Sequence, residues 1–273
     1  MKRILFVSAG HAFPNGAFAF LKSLQDQEPV CVTGLFYSPI DVGSMVAASQ
    51  VPVQGPYDEL KEREKKVTEE NKAIFVNQCK LHYIRHHIAE YEEAWFKEVL
   101  AKESRFSDLL LLSGEMYCSN LNDDQPNTYL LEALHSSECP VMVVPEHYAE
   151  PERLVIAYDG TKDSLHAIRQ FCYLLPHYTD LPTEFIYVKD ENTKDIPDIE
   201  NLKAFTRLHF SSMNFSKLQF KAAHYFATWV GEQKHVLMVS GSFGRSPFSY
   251  LTKRSFAEQV IHNHQMPIFI AHS

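Results

Sequence analysis

The sequence predicts an α/β fold made of two tandem open-sheet domains, each a mainly parallel sheet with helices on both faces. Short apolar runs of strand length alternate with longer amphipathic patterns of helical period. Such alternation is typical of parallel strands joined by crossover helices. The pattern also restarts near residue 153, after a polar segment bracketed by Pro145 and Pro151. A chain of 273 residues is long enough for two ordinary domains.

Five strands are predicted in the first half, each from a short apolar or alternating run. They are expected at residues 4–7, 29–36, 81–88, 108–112 and 141–144. Four helices are predicted between them because apolar residues recur there at helical spacing. They are expected at residues 17–24, 58–79, 89–102 and 129–136. The first half is therefore a continuous alternation of strand and helix that begins and ends with a strand.

The second half repeats the first in the same order. Residues 153–157 correspond to residues 3–7 at an offset of 150. Ser240-Gly241 corresponds to Ser113-Gly114 at an offset of 127. Residues 266–268 correspond to residues 139–141 at the same offset. We therefore expect two domains, residues 1–147 and 151–273.

Composition argues against several functional classes. The formal net charge of −8 disfavours general binding to nucleic acid or to anionic membranes. No apolar run approaches the roughly 20 residues of a membrane span. The apolar part of the N-terminal segment is too short for a signal peptide, and Pro14 soon follows it. We expect a cytoplasmic protein without a nucleic-acid or membrane partner.

The cysteines and histidines do not form a recognisable metal or disulfide pattern. The five cysteines are an odd number, widely spaced, and include no C-x-x-C motif. None of the fourteen histidines has a cysteine or carboxylate partner at a spacing typical of metal ligands. We expect no metal site and no disulfide framework.

The most informative motif follows the apolar run at 236–239. Gly241 and Gly244 come directly after it, and Ser255 then begins a helical pattern. Glycines allow backbone N–H groups to approach an anion, and a helix N-terminus adds unpaired N–H groups and partial positive charge. Arg245 and Arg254 contribute further positive charge. The motif predicts a phosphate site, and the alternative is an ordinary strand–loop–helix connection without a ligand.

The spacing Gly241-x2-Gly244-x9-x-Ser255 resembles the nucleotide loop of the universal stress protein family, Gly-x2-Gly-x9-Gly followed by Ser or Thr. Both loop lengths match. Arg254 stands where the family's ATP-binding members have glycine, and its side chain could either contact or block a phosphate. The resemblance extends over the whole chain as a tandem pair. It implies a five-stranded parallel sheet of order 3-2-1-4-5 in each domain.

The same resemblance implies partners and packing. The fifth strands, at 141–144 and 268–271, would pack the two halves together as an intramolecular pseudo-dimer and shield two sheet edges. A homodimer is a further alternative. The ligand implied is ATP or another adenine nucleotide, with or without Mg²⁺.

The end of the second domain's first strand also resembles the family. Ala157-Tyr158-Asp159 matches its strand-one ending, whose Asp lies in the adenosine pocket. Ligands of parallel α/β sheets gather at the carboxyl ends of strands, so Asp159 should lie near Gly241. The alternative for Asp159 is a turn or helix-capping role.

The resemblance thus implies two groups of nucleotide-binding residues. The residues expected around the base and ribose are Ala157, Tyr158, Asp159 and Val188. Those expected to offer main-chain N–H or hydroxyl groups to the ribose and phosphates are Gly241, Gly244, Ser255 and Phe256. Charge alone adds Arg245 and Arg254 to the expected site.

The first half lacks both features. At an offset of 150, the counterpart of Asp159 is Ala9. The connection that corresponds to the glycine loop contains Asp123 and Asp124, preceded by Glu115, and contains no basic residue. Because carboxylates repel phosphate, we expect no nucleotide in the first half.

Three functions are consistent with these patterns. The resemblance favours a stress-response protein that binds adenine nucleotide in its second domain only. A nucleotide-free interaction or scaffold protein of the same fold is the alternative. An enzyme is the third, because residues 159–164 weakly resemble the loop of ATP pyrophosphatases, although Tyr158 and Asp159 depart from that loop. We find no nucleophile elbow, Walker loop or paired-carboxylate motif, and so expect no catalytic residues.

Overall fold

The computed structural model describes residues 1–9, 12–37, 54–91, 96–114, 133–188, 195–218, 235–241 and 266–271. The strands of the first half are β1 (Lys2–Ala9), β2 (Val30–Tyr37), β3 (Arg85–Ala89), β4 (Leu109–Ser113) and β5 (Val141–Val144). Those of the second half are β6 (Arg153–Ala157), β7 (Thr183–Val188), β8 (Met213–Leu218), β9 (Val236–Ser240) and β10 (Ile268–Ile270). The helices are α1 (Asn15–Gln27), α2 (Gln54–Leu81), α3 (Phe96–Arg105), α4 (Lys162–Leu174) and α5 (Ile199–Thr206). A 3-10 turn spans Pro176–Asp180, and residues 133–136 form a helical stretch.

All ten described strands belong to one sheet, in the order β3-β2-β1-β4-β5-β10-β9-β6-β7-β8. Each half therefore has the strand order 3-2-1-4-5, which confirms the predicted fold class. Neighbouring strands within each half are parallel. The fifth strands of the two halves, β5 and β10, pair antiparallel, with Met142 opposite Phe269. The strands of the two halves consequently run in opposite directions across the shared sheet.

The sheet separates two apolar cores. Helices α1, α2, α4 and α5 cover one face, where Phe6, Phe75 and Phe171 are fully buried. Helix α3 and residues 133–136 cover the other face, where Leu100 and Leu110 are fully buried. Burial of apolar side chains on both faces is what a near-continuous apolar strand requires. Among the described residues, no helix combines the length and apolar character needed to cross a membrane.

Two predicted boundaries in the first half are wrong. The strand expected from residue 81 begins at Arg85, because α2 continues through Leu81. The helix expected from residue 89 begins at Phe96, and Ala89 is the last residue of β3. The chain reverses direction at Tyr83, which has a positive φ of 54°, and the Ile84 N–H donates to the Cys79 carbonyl at 2.8 Å. The alternating pattern at 81–84 is therefore a helix end and a turn.

One correspondence of the repeat is also shifted by one residue. Ile4 pairs with Leu109, and its counterpart Leu154 pairs with Leu237, so the fourth strands are related by an offset of 128. An offset of 127 would exchange the two faces of the strand, because successive side chains of a strand point to opposite faces. The structural counterpart of Gly241 is therefore Ser113.

Helix α1 begins against the segment that follows β5. The Glu146 carboxylate accepts hydrogen bonds from the Asn15 N–H at 3.2 Å and the Gly16 N–H at 3.3 Å. A carboxylate at this position satisfies unpaired N–H groups and interacts favourably with the helix dipole. A Cβ atom at Gly16 would overlap the Pro145 carbonyl oxygen and lie 2.7 Å from that of Glu146. The N-terminus of α1 is therefore held in place by residues 145–146, which follow β5.

A second polar cluster joins the two halves at the same edge of the sheet. The Glu150 carboxylate accepts hydrogen bonds from Ser23 Oγ in α1 at 3.0 Å and from Tyr178 Oη in the 3-10 turn at 3.0 Å. It also accepts from Tyr148 Oη at 2.7 Å. Burial raises the pKa of both tyrosines, which therefore remain neutral donors at physiological pH.

We expect Gly16→Ala to lower the free energy of unfolding by about 1–3 kcal/mol, because the added methyl group meets backbone atoms. Helix propensity alone predicts the opposite sign, a gain of up to about 1 kcal/mol. Urea unfolding of the variant and the wild type measures the difference. Ala19→Gly, at an exposed position of the same helix, is the propensity control and should cost about 1 kcal/mol. A stabilised Gly16→Ala protein would contradict the close packing.

We also expect a histidine-dependent acid sensitivity. Burial, followed by the Lys2 charge, lowers the pKa of His177 below its usual 6.5, although Glu150 opposes this shift. The unfolded chain then binds a proton more readily than the folded protein, so stability falls as the pH decreases through about 6.5. His177→Gln should flatten the dependence of unfolding free energy on pH between about 7 and 5. His87→Gln, at an exposed position, should have the same pH dependence as the wild type. If the unfolding free energies of all three proteins changed with pH in parallel, His177 would not be the source of the acid sensitivity.

Candidate functional site

The carboxyl ends of β6 and β9 meet the N-terminus of α4. These two strands are neighbours in the sheet. From β6 the chain proceeds to β7 on one side, whereas β9 lies on the other, so the crevice between β6 and β9 is a topological switch point. Ala157 ends β6 and Gly241 directly follows β9, so both predicted parts of the site reach this edge.

Gly241 approaches the backbone of α4 closely. A Cβ atom at this position would lie 2.8 Å from the Ser164 nitrogen and 3.0 Å from the Asp163 carbonyl carbon. Both atoms belong to the first turn of α4, so only a glycine allows this approach without displacing the helix. The glycine at 241 therefore has a packing reason that is independent of any ligand.

Asp159 shapes the turn that precedes α4. Its Oδ1 atom accepts hydrogen bonds from the Thr161 N–H at 2.9 Å and the Thr161 hydroxyl at 2.6 Å. Thr161 is the N-cap of α4, and its Oγ1 atom accepts from the Ser164 N–H at 3.3 Å. Gly160 has a positive φ of 80°, which favours glycine. Asp159 thus has the turn geometry of the alternative interpretation, while its exposed carboxylate remains accessible at the edge of the crevice.

Tyr158 lies with its side chain inside the protein. It is 6% exposed, and its hydroxyl donates to the Pro197 carbonyl at 3.1 Å. Its N–H donates to the Ile186 carbonyl at 2.9 Å and so continues the sheet by one residue. Burial, followed by the charges of Asp198 and Asp159, raises the pKa of Tyr158.

The remaining expected residues differ in what the structure describes. Ala157 is half-buried, and Val188 is the last residue of β7. The predicted loop residues that lie outside the described part of the chain are Gly244, Arg245, Arg254, Ser255 and Phe256. The first-half carboxylates that lie outside it are Glu115, Asp123 and Asp124.

Three residues at this edge, Thr161, Ser164 and Pro197, were not among the predicted site residues. Thr161 and Ser164 carry an N-capping pattern, threonine before a helical run, that sequence reasoning could have recognised. Pro197 has no comparable signal, because its contact with Tyr158 spans 39 residues of sequence.

The described residues provide little evidence for metal or thiol chemistry. No group of three or more His, Cys, Asp or Glu side chains among them is arranged to hold a metal ion. The four cysteines in the described ranges are free. Burial raises the pKa of Cys79 to about 12 and that of Cys139 to about 11, so these thiols are protonated and unreactive at neutral pH.

We expect Gly241→Ala to lower the free energy of unfolding by about 1–3 kcal/mol in the absence of any ligand, because its methyl group would press on the backbone of α4. Thermal unfolding of the ligand-free protein measures this loss. Ser240→Ala adds no atom at the preceding position and should change stability much less. Unchanged stability of Gly241→Ala would remove the packing role and leave ligand binding as the reason for the glycine.

This chain resembles known proteins in its structure, whereas its sequence matches no family model. No protein-family model and no curated protein matches the sequence. A universal stress protein from Archaeoglobus fulgidus superposes with a TM-score of 0.67 at 15% identity, over 99% of this chain and 96% of that chain. A Pseudomonas aeruginosa protein provisionally assigned to the universal stress proteins gives a TM-score of 0.55 at 14% identity, over 100% and 93%.

A third structure, of a functionally unknown protein from Pseudomonas aeruginosa, also has a TM-score of 0.55, at 12% identity over 100% and 92% of the two chains. All three likenesses extend along essentially the whole chain, so both halves take part in them. Identities this low carry information on architecture alone. The fold of this chain is that of the universal stress proteins.

Proposed function

We propose that the second half binds ATP or another adenine nucleotide. Its phosphates would lie at the loop that begins with Gly241, and its adenosine at the carboxyl ends of β6 and β7. The observation that carries this proposal is the contact of Gly241 with the first turn of α4, since a Cβ there would be 2.8 Å from the Ser164 nitrogen. That contact joins the start of the glycine loop to the Asp159 turn at a switch point, where ligands of parallel sheets gather.

Charge and spacing support the phosphate end of this site. The loop pattern provides Gly244 and Ser255 for backbone and hydroxyl contacts, and Arg245 and Arg254 for positive charge. At the adenosine end, the exposed carboxylate of Asp159 can accept a hydrogen bond from a ribose hydroxyl. Mg²⁺ would accompany the phosphates of ATP and reduce their repulsion from nearby carboxylates.

The first half supports a single site per chain. The structural counterpart of Gly241 there is Ser113, and that of Asp159 is Ala9. The N-terminus of α1 already holds the carboxylate of Glu146. We propose that the first half serves as the structural partner of the second in an intramolecular pseudo-dimer, in a cytoplasmic stress-response protein.

A nucleotide-free scaffold is the second candidate, because the same contacts can also serve the fold alone. Gly241 packs against α4, and the Asp159 carboxylate bonds to Thr161. Both predicted markers therefore have structural roles that require no ligand. Arg254, which stands in place of the glycine of the ATP-binding pattern, also favours the scaffold.

The test is a calorimetric titration with Mg-ATP after bound ligand has been stripped from the protein. We expect saturable binding in the micromolar range for the wild type, and its loss in Gly244→Asp, because the new carboxylate would repel the phosphates. Tyr117→Asp places the same charge in the first-half loop and should leave the affinity unchanged. Far-ultraviolet circular dichroism checks that each variant is folded.

The titration separates the two candidates. Absence of heat and of thermal stabilisation in the wild type would favour the scaffold. Equal affinity in Gly244→Asp and the wild type would place the nucleotide away from this loop.

A further inference from the structure

The solvent-facing side of α4 carries a continuous row of basic and aromatic side chains. Residues 162, 166, 169 and 173 are spaced by three or four, so they lie in one row along the helix. Lys162 and Arg169 are exposed, Tyr173 is 59% exposed, and His166 is half-buried. The acidic residue of α4, Asp163, lies outside this row. We call Lys162, His166, Arg169 and Tyr173 the α4 stripe.

The end of α5 extends this surface beyond Tyr173. The ring of Tyr173 lies edge-on against that of His209, with the ring centroids 5.9 Å apart. His209 in turn contacts Phe205, with centroids 4.9 Å apart. The two residues before His209 are Arg207, which is exposed, and Leu208, which is 80% exposed. The α4 stripe therefore ends beside an exposed apolar side chain and a further positive charge.

The stability of α4 does not account for the charges of the stripe. Lys162 lies in the first turn, where a positive charge opposes the helix dipole. His166 has Lys162 four residues before it and Arg169 three residues after it, so a protonated His166 would be repelled by both. Burial, followed by the Arg169 charge, lowers the pKa of His166, and Lys162 acts in the same direction, although Asp163 opposes the shift. Neither Lys162 nor Arg169 forms an ion pair with another described residue.

The equivalent helix of the first half shows that the fold itself does not require such a stripe. Helices α1 and α4 each have 13 residues and follow the first strand of their half. Their buried positions align Leu21 with Ile168 and Leu24 with Phe171. The α1 residues that correspond to the α4 stripe are then Asn15, Ala19, Lys22 and Asp26. That row has one cation, one carboxylate and no aromatic side chain.

We propose that the α4 stripe is a docking surface for a short acidic segment of a partner protein that also carries an apolar anchor. From Lys162 to Tyr173 the stripe is about 16 Å long, at 1.5 Å per residue. An extended segment rises about 3.3 Å per residue, so about five residues span the stripe and about six to eight reach past Tyr173. Acidic side chains would pair with Lys162 and Arg169, and an apolar side chain would pack on Tyr173 and Leu208. This inference does not depend on nucleotide binding.

The distribution of charge along the chain favours a short partner over an extended polyanion. Residues 1–147 have 13 Lys and Arg against 21 Asp and Glu, whereas residues 151–273 have 13 against 12. Helices α1 and α2 of the acidic half cover the same face of the sheet as α4. A long nucleic acid or a flat anionic membrane on the stripe would also meet this half and be repelled. A short acidic segment would meet the stripe alone.

Fluorescence anisotropy of the full chain, free of nucleotide, tests the proposal. The probe is a fluorescein-labelled peptide, Glu-Glu-Phe-Glu-Glu-Leu-Glu-Glu, and the control peptide has Gln in place of every Glu. We expect saturable binding of the acidic peptide at low ionic strength, weakened as salt is added, because exposed charges are screened. The Gln peptide should not bind, because it cannot pair with the positive charges.

Two pairs of variants assign this binding to the stripe. Arg169→Glu should lower the affinity for the acidic peptide about tenfold, because it replaces an attraction with a repulsion. Lys22→Glu makes the same change at the matched position of α1 and should leave the affinity unchanged. Tyr173→Ala should lower the affinity about three- to tenfold through loss of the aromatic contact. Tyr83→Ala removes a tyrosine that is 91% exposed elsewhere and should have no effect.

The outcomes decide between this surface and general electrostatic attraction. Absence of saturable binding to the acidic peptide would overturn the proposal. An equal loss of affinity in Arg169→Glu and Lys22→Glu would also overturn it, because the attraction would then be spread over the surface. An oligothymidylate or phosphatidylserine vesicles, titrated in parallel, test the other polyanions. Tighter binding of either of these than of the peptide, with the same dependence on Arg169, would replace the proposed partner by that polyanion.

Discussion

The antiparallel pairing of β5 with β10 is the constraint on which the rest of the arrangement depends. It joins two five-stranded parallel sheets into one and buries both fifth strands. Because this pair is antiparallel, the carboxyl ends of the two halves lie at opposite edges of the sheet. A site at a switch point must then be built from the strands of its own half. The pairing also places the 3-10 turn of the second half beside α1 of the first, where Glu150 connects them.

Within this shared sheet, the two halves pack the first helix against the neighbouring backbone in different ways. In each, the helix after the first strand must start close to other backbone atoms. In the first half the helix contributes the glycine, Gly16, and Glu146 caps the helix. In the second half the glycine lies outside the helix: Gly241 packs closely on the first turn of α4, and Thr161 caps that helix. One helix start is therefore held by a carboxylate of the same chain, whereas the other lies at the beginning of a glycine loop.

The sequence was sufficient for the fold class because alternation of apolar runs with helical patterns follows directly from burial on both sheet faces. It failed at residues 81–84, which alternate in polarity: α2 continues through Leu81, and Tyr83, with a positive φ, follows in a turn. Matching serines suggested an offset of 127, whereas strand pairing requires 128. At the site, Asp159 and Gly241 were identifiable from local pattern. The role of Pro197 depends on a distant hydrogen bond, which no local pattern encodes.

We propose that only the second half binds a nucleotide, so that each chain has a single nucleotide site. Native mass spectrometry of the 31.4 kDa chain, titrated with Mg-ATP, counts bound nucleotides most directly. We expect a single adduct per chain that saturates, with no second adduct at higher concentration. Two nucleotides per chain would contradict the assignment of the first half, and none would contradict the assignment of the second.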